Sequence, residues 1–180
     1  CSIQVLDDIL ENASKYGHLN LVKRIDKYYQ KLDFKRCFWE GLVALHWACW
    51  YEHLEIIKYF FNESPWTFEK DSWPNLLCSV AESGNLEIVK YLVETVGMDP
   101  NLPDGDRSPL EAAAEGGALE MVKYFIDERK VNLQRQRANV TIGEDALLAA
   151  AAAYNFNMFN YLMTALRVFS HFKVTLTLEE

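Results

Sequence analysis

Positive charge is scarce in this sequence. Lys and Arg total 18 against 26 Asp and Glu, giving a net charge of −8. A nucleic-acid binder needs clustered Lys and Arg to neutralise phosphates, so that class is disfavoured. An anionic membrane surface is disfavoured on the same ground. Long apolar runs are also missing. The most apolar stretch, "ALLAAAAAY" at 146–154, is about half the length of a spanning helix and is mostly alanine. Cys1, Cys37, Cys49 and Cys78 follow no metal or redox spacing. They read as reduced thiols of an intracellular, cytoplasmic protein. No H-E-x-x-H, no C-x-x-C and no Gly-rich phosphate loop occurs. The sequence opens on Cys1 rather than Met, which reads as a fragment or processed form. The lack of a leader peptide therefore carries little weight.

What is present is repetition. Half of the 180 residues are apolar, enough for a packed core and too many for disorder. "GNLEIVKYLVE" at 84–94 returns as "GALEMVKYFID" at 117–127 and as "EHLEIIKYFFN" at 52–62. Aligned on its leucine, the phrase falls at Leu19, Leu54, Leu86 and Leu119, with Phe156 as a weaker fifth copy. In the third copy Leu86, Val89, Leu92 and Val93 form one stripe of an amphipathic helix.

A second helical pattern precedes each phrase: 8–16, 43–51, 75–83, 108–116 and 145–153. Small residues recur there in register, among them Ser14, Cys49, Ala81, Ala114 and Ala151, and let neighbouring helices approach closely. Asp8, Ser108 and Asp145 are the expected N-caps, with Pro109 at a first helical position. Gly17, Gly84 and Gly117 stand between the paired helices, where a positive φ closes a short helical hairpin. Helices of this length are marginal alone and gain stability by stacking into a solenoid.

These residues resemble a known family. "DGDRSPLEAAAEGGALEMVKYF" at 104–125 is similar to the ankyrin repeat, with Ser108, Pro109 and Leu110 in the T-P-L places. "VALHWACWYEHLEII" keeps the Leu45-His46 pair, Ala48, and His53 at the G-H place. The departures are Glu11, Cys78, Glu111 and Leu148 at the first-helix histidine, and Tyr154 at the fifth glycine. The expectation is an all-α, ankyrin-like helical-repeat solenoid of about five helix-turn-helix repeats with projecting hairpin loops. It forms one domain, with repeats at about 5–33, 38–70, 71–103, 104–136 and 140–167. Repeats one and five read as capping units. The tail 168–180 lies outside the repeat, and its "KVTLTLEE" reads as a strand or a loose end.

Such a resemblance implies a concave face built from first helices and finger loops. Carried over by position, it names Tyr16, Trp39, Glu40, Leu42, Trp50, Tyr51, Asp71, Glu82, Asp104, Arg107 and Glu115. The N-terminal part of this set is aromatic and its middle is acidic. Exposed Trp and Tyr anchor interfaces, and carboxylates beside them suit Lys or Arg. Two readings stand for the aromatic residues: Trp39, Trp50 and Tyr51 either face the groove or are buried, with Trp39 and Trp47 packing between repeats one and two and Trp66 and Trp73 closing the next finger. The acidic residues equally describe a solvated face. Arg129, Lys130, Arg135 and Arg137 form a basic counter-patch in the last long loop.

No catalytic constellation emerges. His18, His46 and His53 occupy places that are structural in this family, "PDGD" at 103–106 reads as a hairpin tip rather than a calcium loop, and Cys49 and Cys78 read as core residues. The expected function is a non-catalytic protein-interaction module, a scaffold, adaptor or inhibitor, with no cofactor and no metal. Its partner would be another protein, engaged through a basic or apolar segment. An alternative is a substrate-recruiting accessory domain of a larger enzyme or effector. The resemblance also implies a third role, as a substrate of asparaginyl hydroxylases at Asn101 or Asn132.

Overall fold

The computed structural model describes residues 3–31, 38–64, 68, 73–133, 136–137 and 140–166. The tail 168–180, Asp71, Trp66, Cys1 and Cys37 lie outside the described residues, as do the side chains of Trp39, Glu40, Arg135 and Arg137. Helices come in antiparallel pairs. They are α1 (Ile3–Lys15) with α2 (Leu19–Lys31), α3 (Phe38–Trp50) with α4 (Leu54–Asn62), α5 (Trp73–Ser83) with α6 (Leu86–Lys90), α7 (Pro109–Glu115) with α8 (Leu119–Lys123), and α9 (Ile142–Ala152) with α10 (Phe156–Ala165). After α6 and α8 the chain widens into π-helical turns, Tyr91–Val96 and Tyr124–Glu128. A two-residue ladder, β1 (Gln136–Arg137) against β2 (Val140–Thr141), precedes α9. The first helices stack in file, α1 on α3, α3 on α5, α5 on α7 and α7 on α9.

The small-residue register explains that stack. Ser14, Cys49, Ala81 and Ala114 hold one place in four successive first helices, and each is fully buried. Val22, Ile57, Val89 and Val122 hold one place in the second helices and are equally buried. The tightest approach is at Gly116, where a Cβ would lie 2.0 Å from the Glu82 carbonyl oxygen. No side chain fits there without moving the two repeats apart.

Helix starts differ from expectation at two of three places. Ser108 caps α7 as read, accepting the Glu111 amide at 3.1 Å while Glu111 reaches back to the Ser108 amide at 3.3 Å. Asp8 is not a cap. Helix α1 already begins at Ile3, and the Asp8 carbonyl accepts a bond from Asn12 inside the helix. Asp145 is not one either. Thr141 takes the place, because Thr141 and Glu144 form a reciprocal capping box, with Glu144 accepting the Thr141 amide at 2.8 Å.

Gly84 and Gly117 close their helical hairpins at φ of 83° and 74°. Glu52 and Tyr154 occupy the same place in repeats two and five, at 63° and 53°. The turn is thus kept without glycine, at a cost of about 1 kcal/mol each from Cβ crowding.

The repeated Lys-Tyr pair has its own structural role. Each tyrosine of the phrase reaches back to the previous repeat. The Tyr59 hydroxyl donates to Asp26 Oδ2 at 2.6 Å, that of Tyr91 to Asn62 Oδ1 at 3.4 Å, and that of Tyr124 to Glu94 Oε1 at 2.9 Å. Asp26 is fully buried and also accepts from the Ser64 hydroxyl at 2.8 Å. Two lysines at the equivalent place, Lys23 and Lys90, reach the opposite way, whereas Lys58 and Lys123 pair with Glu55 and Glu120 of their own helices. Lys23 lies 4.9 Å from the Tyr59 ring centroid and pairs with Glu63 at 3.0 Å. Lys90 lies 5.1 Å from the Tyr124 ring and 3.7 Å from Glu128. Repeats one and two, and repeats three and four, are thus laced by a hydrogen bond in one direction and an ammonium in the other, and repeats two and three by the hydrogen bond alone.

Repeats one and five expose large apolar side chains. Tyr154 is 90% exposed and Phe156 is 76% exposed. At the other end Val5, Ile9, Leu21 and Tyr28 are exposed.

Candidate functional site

Among the described residues the first helices carry an open hollow on α3. It holds about 560 Å³ and is lined by Leu42, Val43, His46, Trp47 and Trp50 of α3 and Asn75 of α5. These residues recur at three- and four-residue spacing, so one stripe of α3 faces it. Leu42 is buried at 8% exposure and forms the floor rather than a projecting anchor. Trp50 stands at the wall, 48% exposed, and Tyr51 beside it is 43% exposed. These two, left between groove and core by the sequence, keep about half their surface exposed.

Polar groups gather at the α5 side. Asn75 donates to Asp104 Oδ2 at 2.6 Å. Asp104 and Arg107 close the finger tip with mutual backbone bonds of 2.8 and 2.9 Å around Gly105 and Asp106. Burial holds the His46 imidazole below its ordinary pKa, and the Asp104 charge offsets this only in part. At neutral pH the hollow therefore has a neutral imidazole and one acidic neighbour.

Farther along the face, the acidic row is largely spoken for. Arg107 Nη1 donates to Glu82 Oε2 at 2.8 Å, and Nη2 donates to Glu115 Oε2. Arg107 was expected to be a groove residue in its own right, and Glu82 and Glu115 to be acceptors for a basic partner. The structure brings all three together across repeats three and four, where one guanidinium shared by two carboxylates leaves a net charge of −1. Charge alternation in the sequence, Glu82–Arg107–Glu115, carries the signal, but spacing alone does not say that they meet.

The aromatic end is also occupied. The Lys15 ammonium lies 5.6 Å from the Tyr16 ring centroid, 5.2 Å from that of Trp47 and 5.4 Å from that of Tyr51. Tyr16 is 60% exposed, yet one face of it is turned to this lysine. Lys15, which the same carry-over names beside Tyr16, thus meets Trp47 and Tyr51 in one cluster. His53 fixes the corner, its Nε2 lying 2.9 Å from the Lys15 carbonyl oxygen. That is the structural role expected of the G-H place.

Other sequence candidates fall away from this face. Cys49 is fully buried, and burial pushes its thiol far above the ordinary range. Cys78 is buried and pushed up to about 11. Neither is a thiolate at neutral pH. Asn101 binds Asp99 through its amide and accepts the Asn132 amide at 2.9 Å, so both hairpin asparagines serve to tie neighbouring fingers. Among the described residues, no cluster of three His, Cys, Asp or Glu is arranged to hold a metal ion. No helix among them is long and apolar enough to cross a membrane.

Comparison with known proteins agrees with the helical pairs. The family model described as "Ankyrin repeats (3 copies)" matches three overlapping stretches, residues 10–104, 45–137 and 76–170. No curated protein matches the chain. The matched stretches run from the middle of α1 to the end of α10, and the stacked pairs and projecting fingers are those of the same repeat. The chain belongs to the ankyrin repeat family.

Proposed function

We propose that this chain is a non-catalytic interaction module, a scaffold, adaptor or inhibitor, that receives a peptide or helix of another protein on its concave face. Ankyrin repeats are in general protein–protein interaction modules, and the family is typically non-catalytic. The observation that carries the finer reading is the hollow on α3. It offers an apolar floor, a half-exposed Trp50 wall and Asp104 beyond Asn75. A large apolar side chain fills such a hollow, and exposed aromatic walls are the usual anchors of an interface. A Lys or Arg beside it reaches Asp104. The partner segment is therefore apolar first and basic second, because Glu82 and Glu115 are already paired with Arg107. Neither nucleic acid nor an anionic membrane suits a chain of net charge −8.

Panning a random displayed-peptide library against the chain tests this. The expected consensus is a bulky apolar residue with Lys or Arg close by, binding with micromolar affinity and weakened at least tenfold by Trp50→Ala. A consensus rich in Asp and Glu, or peptides that bind the variant equally well, would refute the reading. The variant's melting temperature must first match the parent's.

A further inference from the structure

Among the described residues, repeat stacking leaves a half-interface on repeat one and another on repeat five, and they are complementary. Within the stack, one face of every repeat meets the opposite face of the next. On the downstream face, the place held by Ser14, Cys49, Ala81 and Ala114 is fully buried four times over. Its fifth holder, Ala151, is exposed. The place of Val22, Ile57, Val89 and Val122 is likewise fully buried, whereas its fifth holder, Phe159, is only partly covered. Ala151, Phe156 and Phe159 border an open apolar hollow of about 210 Å³.

The upstream face shows the converse. Ala44, Leu76, Pro109 and Ala146 share a place that the preceding repeat buries, and so do Ile56, Ile88, Met121 and Met158. In repeat one these places belong to Ile9 and Leu21, exposed at 36% and 39%. The polar part of the interface is divided in the same way. His53 reaches the Lys15 carbonyl and Asn155 donates to the Gly117 carbonyl, each binding the loop of the preceding repeat. Their counterpart in repeat one, His18, is exposed on the end face.

We propose that a second copy of this chain covers the downstream face, laying its α1–α2 pair on α9–α10 as α9–α10 lies on α7–α8. Both halves of the contact are encoded in one chain, so no other partner is required to complete it. Within α9–α10 only Glu144 and Asp145, in the first turn of α9, are charged, so the join desolvates little charge on this side in spite of the net charge of −8. The contact is heterologous. It leaves a free half-interface at each end and propagates into open head-to-tail chains rather than closing as a symmetric dimer. Screening the distant charges with salt strengthens it.

Sedimentation velocity of the full chain, from about 1 µM to about 300 µM, tests this. The expected result is an average mass that climbs with concentration past the dimer, and climbs further in added salt. Two variants identify the faces. Ile9→Lys with Leu21→Lys disables the upstream half, and Ala151→Arg with Phe156→Lys disables the downstream half. All four positions are exposed, so circular dichroism melts should match the parent. Each variant alone stays monomeric. Mixed one to one, they form a heterodimer and nothing larger, since each retains the half that the other lacks. A parent that is monomeric throughout overturns the proposal and leaves the faces to another occupant. Assembly that survives in either variant alone overturns it as well, because a face would then be pairing with itself.

Discussion

Tyr59→Phe and Tyr91→Phe make a controlled pair. Both tyrosines hold the same place in the repeated phrase, and each loses only a hydroxyl. Tyr59 donates at 2.6 Å to Asp26, a carboxylate with no exposed surface. Tyr91 donates at 3.4 Å to the neutral, exposed Asn62. A hydrogen bond to a charged group contributes about 1.5–3 kcal/mol, and losing it leaves the buried partner short of a donor. Phenylalanine keeps the ring, so the Lys23 contact at 4.9 Å remains. Tyr59→Phe should therefore cost about 2 kcal/mol, and Tyr91→Phe about 0.5 kcal/mol or less, since a long, half-exposed bond is readily replaced by water. Urea unfolding followed by circular dichroism measures both, with Asp26→Asn added to complete a double-mutant cycle. Equal losses for the two tyrosines, or a loss under about 0.5 kcal/mol at Tyr59, would refute the assignment of the lacing to a buried charge.

Three further outcomes are expected. Gly116→Ala should destabilise by about 3 kcal/mol in the same urea assay, because its Cβ meets the Glu82 carbonyl at 2.0 Å and the backbone has no rotamer by which to yield. Glu52→Gly should raise stability by about 0.5 kcal/mol, relief of the positive φ of 63° outweighing the added freedom of the unfolded chain. His46 should make the fold acid-sensitive. Its folded pKa lies below the unfolded value near 6.5, so the contribution is complete above about pH 6.5 and is lost as pH falls through the lower folded value. Melting temperatures of the parent and His46→Asn between about pH 7.5 and pH 5 should diverge, with the parent falling faster.

The solenoid was legible in the sequence because its signal is written several times. The phrase around Leu54, Leu86 and Leu119 gives the second helices, and the small residues from Ser14 to Ala114 give the stacking of the first. Helix starts were less legible. Asp8 and Asp145 looked like caps by register, but α1 and α9 run farther upstream, and Thr141-x-x-Glu144 competes locally for the α9 cap. The groove was legible as a set of positions and not as a set of free groups. Side chains about 25 residues apart, such as Glu82 and Arg107, pair only because the fingers bring them together. Sequence spacing carries no such information. Lys15 among Tyr16, Trp47 and Tyr51 was hidden for the same reason. So was the meaning of the Lys-Tyr pair: a tyrosine at a fixed place in each copy is visible, but its acceptor in the preceding copy is not.

The lacing also gives the stack a temporal order. Each tyrosine donates to a group that precedes it in the chain, Tyr59 to Asp26, Tyr91 to Asn62 and Tyr124 to Glu94. A polypeptide leaves the ribosome N-terminus first. The acceptor of each of these three tyrosines is therefore already synthesised when the tyrosine emerges. None of the three has to wait for a partner still to be made.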